Sequence, residues 1–227
     1  MNKKETAVLF ALIIFPPILL ILSRQFLPTN YLFSSLYKIV FLFPIFYYIA
    51  IEKKSWKSTY KENFSKKTFQ KTWKRMAITG ISLAIVYVAI FLLLKSFLDL
   101  PTITEKLQAL ASINTTNIVF IGIYIILLNS LLEEFFWRGF LFKKMKENIG
   151  NASYLITGLA FSFHHIMFYY DWFSFPFFLV VTLGLTIYAI IMNYIFNKYQ
   201  DLYSCWLVHA IADTAQIFIA LIIFGIL

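Results

Sequence analysis

The chain has 227 residues, 60% of them hydrophobic and only 14% charged, with a mean hydropathy of +0.75. That excludes an ordinary soluble domain and points to a polytopic membrane protein, with much of its 26 Phe and 14 Tyr facing lipid or the lipid–water boundary. The net charge of +9 sits between apolar runs, so it reads as topology signal and headgroup contact rather than a nucleic-acid surface, and the single cysteine, Cys205, excludes an intrachain disulfide or a cysteine-rich metal site.

At about 20 residues per crossing the length accommodates about seven spans and no second soluble domain. The expected fold is therefore all-α, a transmembrane helix bundle. Met1-Asn2-Lys3-Lys4 looks like a signal-peptide start, but the apolar run that follows is long and reaches Arg24 without a small-x-small cleavage site. It reads as a retained signal anchor. The first span is about Ala7–Leu22, and Pro16-Pro17 should kink it. A link over Ser23–Asn30 leads to a second span, about Tyr31–Ile51, whose Lys38 must snorkel or find a partner. Glu52–Arg75 is strongly basic, and Trp56, Tyr60, Phe64, Phe69 and Trp73 recur in it every three to five residues. That spacing suits an amphipathic helix, whole or broken, on an anionic leaflet; a solvated basic loop is the plainer alternative.

The third span is about Ala77–Leu98, ended by Asp99-Leu100-Pro101, and Thr102–Asn117 reads as a polar link. Span four runs from about Ile118 to Phe142 and on into Lys143-Lys144-Met145-Lys146. Gly150-Asn151 breaks the chain before span five, about Tyr154–Tyr170. Asp171-Trp172 marks a turn, span six is about Phe175–Phe196, and span seven about Leu202–Leu227. These divide into an N-terminal three-span region, 1–117, containing the basic segment 52–75, and a four-helix core, 118–227. Lys3, Lys4, the nine basic residues of Glu52–Arg75, Lys143, Lys144, Lys146 and Lys198 fall on one side of the membrane, against Arg24 and Lys106 on the other. The positive-inside rule then puts the N-terminus in the cytoplasm and the C-terminus outside, in a multi-pass plasma-membrane protein.

The core spans carry charges that are expensive in hydrocarbon, roughly 2.5–3.5 kcal/mol each at a helix centre. Span four holds Leu132-Glu133-Glu134-Phe135-Phe136-Trp137-Arg138-Gly139, which taken alone could mark the water boundary. Span five holds Phe161-Ser162-Phe163-His164-His165, and span seven holds His209-Ala210-Ile211-Ala212-Asp213. All three histidines of the protein thus lie in apolar segments. Glu134 and Arg138 stand at i and i+4 and can pair, as can His209 and Asp213. Glu133 projects about 100° away from Glu134, free to face the bundle interior. Glu133 and His209 fall toward the cytoplasmic side of their spans.

Two Glu, the histidines and an Asp offer a narrow chemistry. A carboxylate can take a proton from water that a histidine orients, which is general-base hydrolysis. Histidines with carboxylates could instead bind Zn²⁺, with Glu133, His165 and His209 as the candidate ligands. The residues leave open whether the cofactor is Zn²⁺ or none. The H-E-x-x-H pattern of zincins is absent, and a proton-relay transporter could use the same groups.

The ordered set Glu-Glu-x-x-x-Arg at 133–138, Phe-x-x-x-His at Phe161/His165 and His-x-x-x-Asp at His209/Asp213 resembles the CAAX-processing and bacteriocin-processing (CPBP, or Abi) family of intramembrane proteases, which includes type II CAAX prenyl endopeptidases. Gly139 and Ser204-Cys205-Trp206 add to the likeness, which covers about Ile118–Leu227. The resemblance implies a water-filled cavity open to the cytoplasm, with Glu133 as general base assisted by His165. It implies that His209 and Asp213, where many relatives have Asn, bind the scissile carbonyl and its oxyanion, and that Glu134 and Arg138 orient the site. The family is commonly catalogued as metalloproteases. Only one of His164 and His165 should face Glu133. The substrate would be a peptide or membrane-anchored protein. A Lys-, Ile- and Asn-rich composition leans toward a bacterium, where bacteriocin maturation or self-immunity fits better than prenylated substrates. A non-catalytic scaffold or immunity protein keeping the motifs, and an ion-coupled transporter, are the rivals; no inverted repeats support the latter.

Overall fold

A computed structural model describes residues 3–26, 36–111, 113–169 and 172–227. Of the link read over Ser23–Asn30, residues 23–26 continue the first helix; the rest of it, the first residues of the second span and Asp171 lie outside the described residues. Within them the chain is all-α, with no strand. Helix α1 is Lys3–Phe26 and runs through Pro16 and Pro17. Helix α2 covers Leu36 to Ile51 as a 3-10 stretch, Leu36–Leu42, one α turn, Phe43–Phe46, and a π turn, Tyr47–Ile51. Then come α3 (Trp56–Asn63), α4 (Lys66–Leu94), α5 (Leu100–Ala111), α6 (Ile118–Ile149), α7 (Ala152–Tyr169), α8 (Phe175–Tyr199) and α9 (Leu202–Ile223).

Among the described residues four helical runs are long and apolar enough to cross a membrane: Trp56–Phe97, Ile118–Ile149, Phe175–Tyr199 and Leu202–Ile223. Thr6–Leu19 and Lys38–Ile51 are shorter apolar helices.

The basic segment divides between two helices. Ser55 caps α3, its hydroxyl accepting from Ser58 N at 3.2 Å, and the chain becomes extended at Phe64. Ser65 caps α4 by accepting from Thr68 N at 3.2 Å, so Lys66–Arg75 form the first turns of the helix that holds the third apolar span. Residues read as a polar link form α5. Asp99 caps it, accepting from Thr102 N at 3.1 Å and from the Thr102 hydroxyl at 2.8 Å, and Pro101 sits in its first turn, where no backbone donor is needed.

Two packed pairs build the scaffold: α9 lies along α4, and α7 along α8. Gly80 lets the first pair close, because a Cβ there would sit 2.9 Å from Ile211 Cδ1 and 3.3 Å from the backbone of Val208. Asp201 locks the register of this pair. It accepts from the Ser204 N–H (3.1 Å) and hydroxyl (2.8 Å) at the start of α9, and from Ser65 N (2.9 Å) at the start of α4. The Thr72 and Ser204 hydroxyls add a buried 2.8 Å bond one turn further in. Helix α6 threads between the pairs and supplies the aromatic core, with Phe136, Trp137 and Phe140 all buried. Phe41 of α2 meets Phe136 at 5.1 Å, and Tyr47 meets Phe140 at 4.9 Å. The N-terminal helices are therefore walls of the core.

Candidate active site

Helix α6 is not uniform. It is π-helical over Ile125–Asn129 and again over Trp137–Phe142, with one regular segment, Ser130–Phe136, between them. Single π turns of this kind recur at functional sites. Ser130 contributes to the first irregularity: its hydroxyl donates back to Ile126 O at 2.5 Å and accepts from Trp206 Nε1 at 3.1 Å. Gly139 permits close approach at the second. Its carbonyl accepts from Tyr48 Oη at 2.8 Å, and a Cβ would stand 2.9 Å from Leu202. Glu133 and Glu134 occupy the regular segment, both buried.

The two carboxylates face different partners. Glu134 Oε1 accepts from Arg138 Nη1 at 2.9 Å and from His209 Nδ1 at 2.7 Å. The Arg138 guanidinium stacks over Phe161, 4.5 Å from the ring centre. His209 donates Nδ1–H to a carboxylate, which leaves Nε2 pointing onward, 3.6 Å from Asp213 Oδ1. Glu134 thus joins Arg138 of its own helix to His209 of α9, a link that helix spacing alone does not reveal.

Glu133 Oε1 accepts from Asn129 Nδ2 at 2.6 Å, and its other oxygen, Oε2, stands 3.7 Å from His165 Nε2. His165 Nδ1 lies 2.8 Å from the Phe161 carbonyl, and because a carbonyl only accepts, Nδ1 carries the hydrogen. In the neutral ring Nε2 then bears a lone pair facing Glu133 Oε2. Two acceptors 3.7 Å apart share no direct hydrogen bond, but a water donating to both fits them. His164 points elsewhere: it is buried with its ring 5.5 Å from Phe41 and 5.8 Å from Trp137. His165 is the histidine that reaches Glu133.

The structure thus gathers Glu133, Glu134, Arg138, His165, His209 and Asp213 around Phe161, whose ring also lies 4.3 Å from that of His165 and 6.3 Å from that of His209. Among the described residues several buried polar atoms in this cluster have no hydrogen-bond partner: Glu133 Oε2, Glu134 Oε2, Arg138 Nε and Nη2, and Asp213 Oδ2. Atoms of this kind in an apolar interior call for water or substrate.

The metal reading fits poorly. Among the described residues no three His, Cys, Asp or Glu side chains are grouped as an ion requires. Of the candidates Glu133, His165 and His209, the first gives one oxygen to Asn129 and the last gives Nδ1 to Glu134, which leaves one donor atom on each.

Sequence reasoning passed over Asn129, although its place at i−4 from Glu133 was the signal. It also left Lys38 without a partner. Lys38 Nζ lies 5.9 Å from the Tyr124 ring centre, with Glu133 and Asp213 among the charges that act on it, so a residue outside the motif-bearing core bears on the site.

Comparison with known families agrees with the motif reading. Residues 115–215 match the family described as type II CAAX prenyl endopeptidase Rce1-like. This Rce1-like stretch holds Asn129, both glutamates, all three histidines and Asp213, and it is consistent with the CPBP resemblance. It stops short of the basic segment and of Lys38. No curated protein and no solved structure matches the chain.

Proposed function

We propose that the chain is a CAAX-protease-like intramembrane endopeptidase that hydrolyses a peptide bond of a membrane-associated protein or peptide with a water held between Glu133 and His165. The observation that carries the reading is the 3.7 Å gap between Glu133 Oε2 and His165 Nε2, bounded by two acceptors. Asn129 occupies the other Glu133 oxygen and fixes the carboxylate so that Oε2 faces the gap. Glu133 takes a proton from the water as its oxygen attacks the scissile carbonyl. His209, held through Nδ1 by Glu134, presents Nε2–H to the developing oxyanion, with Asp213 alongside to favour the protonated ring. Collapse of the tetrahedral intermediate returns the proton from Glu133 to the leaving amine. Arg138 neutralises Glu134 and keeps it an acceptor for His209.

On this reading the catalytic unit is 118–227, within a bundle of about seven spans in the plasma membrane, its cavity open to the cytoplasm, the N-terminus inside and the C-terminus outside. The test is a comparison of the membrane peptides of cells expressing wild-type protein or Glu133→Ala at equal levels. At least one membrane-associated peptide should persist uncut in the variant. Identical peptide populations at equal expression would remove the protease reading and leave a scaffold role.

A further inference from the structure

Among the cations of the basic segment and of the ends of α6 and α8, two groups stand apart. Lys54, Lys143 and Lys144 are paired with acids: Lys54 lies 2.9 Å from Glu52 and 2.8 Å from Glu62, Lys143 is 3.6 Å from Glu62, and Lys144 contacts Glu52 and Glu147. These bridges tie α3 to the end of α6. Lys66, Lys67, Lys71, Lys74, Arg75 and Lys198 are all exposed, and among the described residues no carboxylate lies within ion-pair distance of them. Their neighbours are aromatic. Lys74 stands 5.7 Å from the Trp73 ring centre, and Lys198 stands 5.6 Å from that of Tyr194 and 5.5 Å from that of Tyr199. Arg75 reaches across from α4 to donate to Tyr199 Oη at 2.8 Å.

The face of α4 that carries these cations has a second property. Lys67, Lys71 and Lys74 continue at helical spacing into Ile78, Ile81 and Ile85, each more than half exposed. The opposite face buries Thr72, Met76 and Gly80. One exposed stripe therefore changes from ammonium groups to isoleucines within a single turn, about 6 Å of rise. Its cationic part is about 10 Å long, comparable with the headgroup layer, roughly 5–8 Å on each side of the hydrocarbon. Exposed isoleucines need hydrocarbon, and ammonium groups without acids need anions. The two needs meet at one depth only in a bilayer leaflet bearing negative charge.

We propose that this face of α4, together with the Arg75–Tyr199–Lys198 bridge to α8, is a docking surface for the headgroups of anionic phospholipids. The phosphodiester is the shared acceptor for Arg75 and Lys198, and the lysines of the stripe hold further headgroups around it. The paired lysines take no part, because their charge is already met by Glu52, Glu62 and Glu147.

The test uses the full-length protein in zwitterionic detergent, mixed with equal amounts of phosphatidylglycerol and phosphatidylcholine, with retained lipid counted by native mass spectrometry. Wild type should retain phosphatidylglycerol selectively. The set Lys71→Gln, Lys74→Gln, Arg75→Gln and Lys198→Gln should weaken that retention at least tenfold, roughly what removing several interfacial cations implies. The charge-keeping set Lys71→Arg, Lys74→Arg, Arg75→Lys and Lys198→Arg should restore it. If the neutral set fails to fold, the single exposed changes Lys71→Gln and Lys198→Gln carry the test, each with a smaller loss. Three results would overturn the proposal: equal retention of both lipids by wild type, undiminished retention by the neutral variants, or displacement of the lipid by inorganic phosphate at equal concentration.

Discussion

The two sides of the buried polar cluster differ although they begin at adjacent residues. On the Glu134 side one oxygen accepts from both Arg138 and His209, and a guanidinium and an aromatic ring close the arrangement. On the Glu133 side Asn129 takes one oxygen, and the other faces His165 across a gap too wide for a hydrogen bond. One side is a tie between helices, in which Glu134 Oε2 and Arg138 Nε and Nη2 still have no partner among the described residues; the other sets a carboxylate oxygen opposite a histidine nitrogen with room between them. In a bundle where each unsatisfied polar group is costly, the proposed function places the reacting water in that space.

That difference can be broken from either side. Glu133→Gln keeps the shape and the Asn129 contact but removes the proton acceptor, so kcat should fall by about 10²–10⁴ while thermal stability changes little. Kinetics and a melting curve on the same preparation check both halves. Arg138→Met acts on the closed side: it strands Glu134 in an apolar interior, at about 3–5 kcal/mol of stability. It should appear as a large fall in Tm or folded yield, and the molecules that do fold should also be less active, because Glu134 then holds His209 less firmly. Asn129→Ala should be milder, lowering kcat about 10- to 100-fold with KM unchanged, since it frees a carboxylate that is still present, in line with the ~1.5–3 kcal/mol of a hydrogen bond to a charged group. Asn129→Gln would test whether the amide alone is enough.

The smallest effect sharpens the comparison by using a charge cluster outside the apolar core. Burial pushes the Glu52 carboxyl up, but hydrogen bonds from Lys144 and Lys54 outweigh it and hold the group below its usual range. Glu52 therefore adds stability that is present at neutral pH and is lost as pH falls through its lowered pKa. Tm should decline from pH 7 toward pH 3, and Glu52→Gln should make the decline shallower without altering hydrolysis at pH 7.

Much of this was legible in the sequence, and the parts that were not have physical causes. Hydropathy displayed the helical membrane character because an 18-residue apolar run has few other uses. The motif residues were visible because charges are rare in such runs. Asp99-Leu100-Pro101, read as a stop, is also a start: an N-cap and an early proline look alike from either direction. The junction at Arg75 vanished because composition changes there while the helix does not. The link from Glu134 to His209 was hidden because it joins helices 75 residues apart. The roles of Asn129 and Lys38 depend on how α6 and α2 meet, which no local spacing encodes.

The central claim is that Glu133 and His165 act together on one water. A kinetic cycle of Glu133→Gln, His165→Ala and the double variant, measured on the peptide identified by comparing cleaved membrane species, tests it most directly. Residues serving one water behave as a unit, so the double variant should be no slower than the worse single variant. If the two losses multiply instead, the residues act independently and the shared-water account is wrong.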